Sequence, residues 1–387
     1  MLPSPYNPTR ELTIGIIGGG QLAKMLTQAA YRLGLRVAIL EHGADSPAGR
    51  MTKLEFPEGW TSPEALESFL RASDIITLEN EFVSPELLEH LAQHRLVYPS
   101  PETVRRVRDK LTQKQVISEA GIPAPAFAAV EAPEDALAFA RQHGFPVVLK
   151  TRTFGYDGYG NRTVSTTEEL PSAWQALQQR ALDSSLLAER FIVLQKELAV
   201  IVARNRRGEL AVYPCVETVQ HDHVCREVYA PAPIPDALRR RAQEIAVACV
   251  EAVHGVGVFG IELFLDGEGE ILFNEMAPRP HNSGHYTIEA CYTSQFENAI
   301  RAICDLPLGS PDLIVPAAVM VNLLGSRTGR GIPDSVIAAL RTGKAWLHLY
   351  GKHESRPRRK MGHITAVGQT LEEAHLYARQ AAEGITW

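Results

Sequence analysis

No stretch of this 387-residue chain is apolar over the roughly 20 consecutive residues that a membrane-spanning helix requires. The first ten residues carry Pro3, Pro5, Asn7 and Pro8 where a secretory leader would need an apolar run, so a soluble cytoplasmic protein is expected. Cysteine is scarce. The five present (Cys215, Cys225, Cys249, Cys291, Cys304) are odd in number and form no C-x-x-C pair, which excludes a disulfide framework and a zinc knuckle and fits a reducing compartment. Positive charge is in deficit, 39 Lys and Arg against 45 Asp and Glu, for a formal net charge of -6. A sequence-independent nucleic-acid binder needs the opposite balance to displace counterions, so nucleic acid is not an expected partner. Low-complexity tracts and internal repeats are missing too. With 45% hydrophobic and 22% charged residues, the composition is that of a globular protein of two or three domains.

From Leu12 to about Ser100, short apolar runs alternate with amphipathic stretches, the pattern of a parallel sheet covered by helices. Leu12 to Ile17 reads as a buried strand. Leu22, Met25, Leu26, Ala29, Ala30 and Leu33 then recur at helical spacing up to Gly34, and Leu35 to Leu40 reads as the second strand. Ser62-Pro63-Glu64, Ser84-Pro85-Glu86 and Ser100-Pro101-Glu102 each combine a capping hydroxyl, a first-turn proline and an acid at the positive helix end. A further helix over Leu111 to Ala120 stops at Gly121, and Ile122-Pro123-Ala124-Pro125 reads as an extended linker. Beyond it, Phe145 to Lys150 and Leu186 to Glu189 are strand-like. Glu197 to Asn205 and Glu209 to Tyr213 pair as a hairpin through Arg206-Arg207-Gly208, so this half is expected to be antiparallel. The tail from about Ile314, with a helix at Leu371 to Ala382, reads as a small closing subdomain.

Four constellations carry chemistry. Gly18-Gly19-Gly20-Gln21-Leu22-Ala23 follows a strand and opens a helix, matching the dinucleotide pattern G-x-G-x-x-G/A, with Glu41 where a ribose acid belongs. Glycines at a helix start equally allow a monophosphate to approach. Lys150 ends a strand before Thr153 to Asn161, whose Gly155, Gly158 and Gly160 let backbone N–H groups meet phosphate oxygens. Phe259 to Phe264 and Ile271 to Glu275 flank the turn-prone Asp266-Gly267-Glu268-Gly269. With Leu265 opposite Leu272, Glu262 would face Glu275 with Cβ atoms about 5 Å apart. A divalent cation would relieve that repulsion, with Asn274 as a third oxygen, which suits Mg²⁺ bound together with phosphates. Finally, Arg279, His281, Asn282 and Ser283 sit in a proline-restrained, donor-rich segment that reads as a substrate loop. The cluster Arg356, Arg358, Arg359 and Lys360 is compact enough for one phosphate group. The pair His221-x-His223 lacks a third ligand and is not read as a metal site.

In this order the motifs resemble the ATP-grasp superfamily, and within it the N5-carboxyaminoimidazole ribonucleotide synthases. The resemblance runs from about Thr13 to Gly368. It rests on Gly18 to Leu22, Glu79-Asn80-Glu81, Asp109 to Lys114, Gly155 to Gly160, Phe273 to His285 and Ser294-Gln295-Phe296. It implies a mixed α/β and α+β multidomain chain with an ATP-grasp fold. An N-terminal Rossmann-like parallel-sheet domain (1–110) would be followed by a small central lid domain (111–188). A C-terminal mixed or antiparallel domain (189–387) would include the closing subdomain from about 314.

The implied reaction is ATP-dependent carboxylation of the amine of 5-aminoimidazole ribonucleotide by bicarbonate through carboxyphosphate, giving N5-carboxyaminoimidazole ribonucleotide, ADP and phosphate in purine biosynthesis. ATP and Mg²⁺ are the implied cofactors and a cytoplasmic homodimer the implied assembly. Mg²⁺ would lie at Glu262 and Glu275. ATP would meet Lys110 and Lys150, the loop Gly155, Tyr156, Asp157, Gly158, Tyr159, Gly160 and Asn161, and the pair Asn274 and Glu275. The backbone of Glu189, Arg190, Phe191 and Ile192 would read adenine and Glu197 the ribose. The ribonucleotide would lie against Gly20, Gln21, Leu22, Glu79, Asn282 and Ser283, its phosphate on Lys352, Arg359 and Lys360. Arg279, His281 and Asp157 are the catalytic candidates. Ala23-Lys24 and Glu217 to Gln220 depart from the family's usual residues, and either Gln220 or His221 could replace its nucleotide-contacting histidine. Three other readings stay open at this point: a formate-dependent glycinamide ribonucleotide transformylase, an NAD-dependent oxidoreductase built on Gly18 to Ala23 and Glu41, and a non-catalytic nucleotide-sensing relative that retains the binding residues.

Overall fold

The computed structural model describes residues 11–153, 160–179, 185–222 and 224–387. Gly155, Tyr156, Asp157, Gly158, Tyr159 and His223 therefore lie outside the described residues. Among the described residues the N-terminal strands form a five-stranded parallel sheet in the order Glu55–Phe56, Arg36–Leu40, Thr13–Ile17, Ile75–Leu78, Leu96–Val97. Its central strands are β-branched or aliphatic at nearly every position because helices cover both faces. The three Ser-Pro-Glu signals start helices as the sequence predicts. Ser62 accepts from Ala65 N–H (3.2 Å), Ser84 from Leu87 N–H (3.2 Å) and Ser100 from Thr103 N–H (3.1 Å), each satisfying one orphan donor of the first turn.

Asp109 caps the helix Lys110–Glu119 through Leu111 and Thr112 N–H. After the extended linker comes a four-stranded antiparallel sheet ordered Phe127–Val130, Leu186–Arg190, Val147–Thr151, Asn161–Val164, backed by the helices Pro133–His143 and Leu170–Gln178. A nine-stranded antiparallel sheet follows. Its path is Ile271–Ala277, Gly257–Asp266, Leu194–Arg204, Val216–His221, Val224–Ala230, Ala317–Leu324, Lys360–Gly368, Ala345–Leu349, with Leu210–Val212 paired to Leu194–Arg204. The tail read as a closing subdomain thus supplies strands to the sheet itself, and the helix Leu371–Glu383 covers them. One apolar cluster joins Ile14, Met25 and Leu26 to Phe296, Ile300 and Met320, so the parallel domain and the large sheet share a core across their junction.

The register of the hairpin formed by Gly257–Asp266 and Ile271–Ala277 differs from the sequence expectation. Leu265 pairs with Ile271, not Leu272, and a bulge between Glu262 and Leu263 shifts the count so that Glu262 does face Glu275. In a regular strand successive side chains leave opposite faces, so Asn274 and Glu275 could not both enter one site. The bulge opposes both to Glu262. This strand is also the sheet edge. The outer edge is tied down by Gln113, whose side chain accepts from Met276 N–H (3.0 Å) and donates to Met276 O (3.0 Å). Lys114 donates to Asn274 O (3.0 Å), and Pro123 O accepts from Phe273 N–H (2.7 Å).

Replacing Ser84 by Ala leaves the Leu87 N–H without its cap and should cost about 1 kcal/mol of stability, measured as a shift in the denaturant midpoint with unchanged slope.

Candidate active site

A cavity of about 750 Å³ opens where the three sheets meet, lined by residues from Gln21 to Lys360. Its phosphate-ready side is a nest of buried charge. Lys150 Nζ lies 2.9 Å from Glu189 Oε2 and 3.3 Å from Asn274 Oδ1, while Lys114 Nζ lies 3.3 Å from Glu189 Oε1. Lys114 is 1% exposed, Glu189 2% and Lys150 7%, a depth at which unpaired charge would be very costly. Burial pulls Lys114 down to about 8 against the attraction of Glu189. For Glu189 burial works upward, but Lys150 and Lys114 outweigh it and hold the carboxyl below its ordinary value. Lys110 ion-pairs with Glu275. Sequence reasoning named Lys110 and Lys150 but missed Lys114, although it stands four residues after Lys110, one helical turn along the same face. It also cast Glu189 as part of an adenine-reading backbone. The carboxylate turns inward between two lysines and Arg190 N–H is bonded to Ala126 O, while Glu189, Arg190, Phe191 and Ile192 all line the cavity.

Glu262 and Glu275 titrate as a pair. Burial and then the facing Glu275 push Glu262 up; burial also raises Glu275, but Lys110 and Lys150 more than reverse it. The donor set fits a divalent cation, since two facing carboxylates and the Asn274 amide oxygen present hard oxygens beside phosphate-ready lysines. Among the described residues no third His, Cys, Asp or Glu joins them in a metal cluster.

His281 Nε2 lies 3.2 Å from Glu262 Oε1, and its Nδ1 lies 2.8 Å from Ser283 Oγ and accepts from Ser283 N–H (3.4 Å). Burial, Arg279 and Lys360 drive its pKa to about 3, so the ring is neutral and a poor proton acceptor at neutral pH. The geometry suits orienting Glu262 more than deprotonating a substrate. Arg279 is held by Glu81 through two bonds (2.6 and 3.1 Å), a partner that the Glu79-Asn80-Glu81 motif contained without revealing. Asn282 and Asn322 exchange amide hydrogen bonds (2.9 and 2.6 Å).

On the opposite side the glycine turn is already filled. Glu79 accepts from Gly20 N–H (2.8 Å) and Ala23 N–H (2.9 Å), and Glu41 accepts from Gly19 N–H (2.7 Å). A side chain at Gly18, whose φ is +98°, would collide with Glu79. A pyrophosphate would find carboxylates where a dinucleotide fold offers free amides, and Glu41 is spent inside the turn, which removes the oxidoreductase reading. Gly20 is engaged by Glu79 and does not line the cavity; Gln21, Leu22 and Glu79 do. Lys352, Arg356, Arg358, Arg359 and Lys360 gather at the rim of the same side, and Lys24 donates to Leu349 O (2.7 Å), tying the first helix to the C-terminal strands.

Glu197 lines the cavity. Desolvation raises it to about 7, opposed by a hydrogen bond from Gln220. Of the two candidates in the departing segment, the cavity lining includes Gln220. Gln220 faces the site, while His221 is 71% exposed and pairs with Asp222 at 3.2 Å.

Comparison with known proteins follows the same three parts. Residues 12–108 match the ribonucleotide synthetase preATP-grasp domain, 115–296 the ATP-grasp domain, and 318–376 the phosphoribosylaminoimidazole carboxylase C-terminal domain. The chain is 44% identical over 356 residues to the N5-carboxyaminoimidazole ribonucleotide synthase of Synechococcus elongatus, covering 91% of this chain and 88% of that protein. It is 40% identical over 372 residues to the phosphoribosylaminoimidazole carboxylase of Schizosaccharomyces pombe, covering 94% of this chain but only 66% of that longer protein. The crystal structure of the Aspergillus clavatus N5-carboxyaminoimidazole synthase with ADP and 5-aminoimidazole ribonucleotide superposes with a TM-score of 0.87 at 36% identity, covering 96% of this chain and 98% of that one. The fold is therefore the ATP-grasp fold.

Raising a carboxyl pKa in the folded state penalises its ionised form. The penalty is absent below about 4.5 and fully present above about 7. Glu197→Gln should therefore gain stability relative to the parent between pH 5 and pH 8, by on the order of 1 kcal/mol after allowance for solvent screening, read from denaturant midpoints at the two pH values.

Proposed function

The chain belongs to the N5-carboxyaminoimidazole ribonucleotide synthase family of ATP-grasp ligases, and from that footing we propose that it uses ATP and bicarbonate to carboxylate the amine of 5-aminoimidazole ribonucleotide. The products are N5-carboxyaminoimidazole ribonucleotide, ADP and phosphate, in purine biosynthesis. One observation carries the reading: a single cavity holds a buried lysine and glutamate nest at one side and a five-cation rim at the other, room for a triphosphate and a monophosphate together.

Lys110 and Lys150 meet the inner phosphates of ATP, with Lys114 behind Glu189 holding that acid in place against Lys150. Positioning and charge stabilisation are what phosphoryl transfer asks of a protein. Mg²⁺ at Glu262, Glu275 and Asn274 would supply neutralisation of the triphosphate. His281 keeps Glu262 aimed at that position. The backbone of Glu189, Arg190, Phe191 and Ile192 reads adenine, and Glu197 with Gln220 takes the ribose hydroxyls. The loop Gly155 to Asn161 is assigned to the phosphates, with Gly155, Tyr156, Asp157, Gly158 and Tyr159 on its sequence alone and Gly160 and Asn161 at the end of Lys150's own strand pair. Gln21, Leu22, Glu79, Asn282 and Ser283 flank the ribonucleotide, and Lys352, Arg359 and Lys360 hold its phosphate. Arg279, pinned by Glu81, supplies fixed positive charge near the reacting carboxyl group.

The units 1–110, 111–188 and 189–387 divide this labour into substrate turn, lid and catalytic sheet. The same reading takes a cytoplasmic homodimer as the working form. No helix among the described residues is long and apolar enough to cross a membrane. The transformylase reading would use the same lysines and glutamates; the match of residues 318–376 to a carboxylase C-terminal domain supports carboxylation instead.

ADP release with Mg-ATP and bicarbonate should rise roughly 10-fold or more on adding 5-aminoimidazole ribonucleotide, because the second substrate completes the site. Glu275→Gln should abolish that rise while the protein stays folded. Release that is indifferent to the ribonucleotide in a protein that binds ATP would overturn the carboxylation.

A further inference from the structure

Gln295 is completely buried at the first turn of the helix Gln295–Ile303, and its side-chain amide reaches back into the substrate loop. Its Oε1 accepts from His281 N–H (2.9 Å) and its Nε2 donates to His281 O (2.8 Å), so one carboxamide holds both backbone polar groups of a single residue. The same Nε2 lies 3.2 Å from His285 Nδ1. Backbone polarity removes any ambiguity of orientation. A peptide N–H can only donate and a peptide carbonyl can only accept, so the amide cannot be turned over without breaking both bonds. Nε2 therefore has a hydrogen left only to donate, and His285 Nδ1 can only accept it. A neutral imidazole with a bare Nδ1 carries its proton on Nε2.

The surroundings are built around this contact. Gly284 has no room for a side chain, because a Cβ there would come within 2.6 Å of Gln295 Oε1 and 2.7 Å of Ile201 Cγ1. Gln295 N–H donates to Thr287 Oγ1 (3.0 Å), which itself donates to Gly284 O (2.6 Å), so both ends of the residue are fixed to the loop. His285 is 1% exposed to solvent and lines the cavity; the charges that reach it include Lys360 and Arg279, both of the ribonucleotide side.

We propose that Gln295 is a positioning residue of the reaction, which holds His285 as the Nε2–H tautomer facing the ribonucleotide while fixing the backbone from which His281 orients Glu262. His285 then presents a neutral donor to a ribose oxygen or ring nitrogen of the substrate. This role rests on the carboxylation reading for its substrate, whereas the tautomer is a property of the protein alone.

The experiment has two arms. In protein labelled with ¹⁵N-histidine, with His285 assigned by its loss in His285→Gln, the ring of the unliganded parent at pH 7 should show a bare Nδ1 and a protonated Nε2. A Nδ1–H or doubly protonated ring overturns the proposal without any variant having to fold. In Gln295→Glu the carboxylate can still accept from His281 N–H but cannot donate. His285 should then switch to Nδ1–H, and ribonucleotide-stimulated ADP release should fall about 10- to 100-fold, the usual cost of losing an orienting partner, with the KM for ATP within about threefold of the parent. An unchanged tautomer and rate in that folded variant also overturns it. A parent protein with the expected tautomer but no stimulation by the ribonucleotide would sink the carboxylation reading and leave the clamp standing.

Discussion

Two carboxylates, Glu262 and Glu275, face each other across neighbouring strands in a buried site, and much of the cavity is arranged around their repulsion. Lys110 is set on Glu275, His281 on Glu262, and Lys150 on the Asn274 amide between them. Each of those cations or donors then needs support at the same depth. Glu189 answers Lys150, and Lys114 answers Glu189, so the charge compensation spreads over three segments of chain. Such an arrangement is not an efficient source of stability, because desolvation offsets most of the Coulomb attraction. Its value is that charges already in position need no reorganisation when a triphosphate arrives.

The bulge at Asn274 is the local device on which that arrangement turns. It converts the alternation of an ordinary strand into two consecutive inward side chains, and it does so on an edge strand, where pairing is easiest to distort. The edge is then closed by Gln113 and Lys114 from the helix Lys110–Glu119. One helix thus covers the open side of the strand and brings Lys110 and Lys114 to the site, which couples folding of the linker region to assembly of the phosphate side.

Loop, turn and tail are fixed to this centre by amides and carboxylates that act on backbone groups. Glu79 and Glu41 fill the glycine turn, Gln295 grips the substrate loop, and Lys24 reaches the C-terminal strands. A motif that reads as a dinucleotide fingerprint is in this way converted to one wall of a different site, since its amides already have acceptors.

Element boundaries, caps and the antiparallel character of the second half were legible in the sequence because they follow from local rules: Ser-Pro-Glu at helix starts, Gly34 and Gly121 at helix ends, alternation in the strands. Glu262 opposite Glu275 was legible as well, although by a register that runs differently at Leu265, because a bulge is a one-residue insertion with no strong residue signature. Lys114 could have been found from its helical spacing to Lys110. The inward turn of Glu189, the capture of Arg279 by Glu81, the exposure of His221 and the grip of Gln295 on His281 could not, since each depends on how the chain packs around that side chain and not on local spacing. Residue types and their spacing determined what chemistry this protein could hold and roughly where its elements begin and end. Which of those groups are paired, neutral or turned toward the cavity was decided only by the tertiary structure, because burial and neighbouring charge are properties of the packed molecule and have no counterpart along the chain.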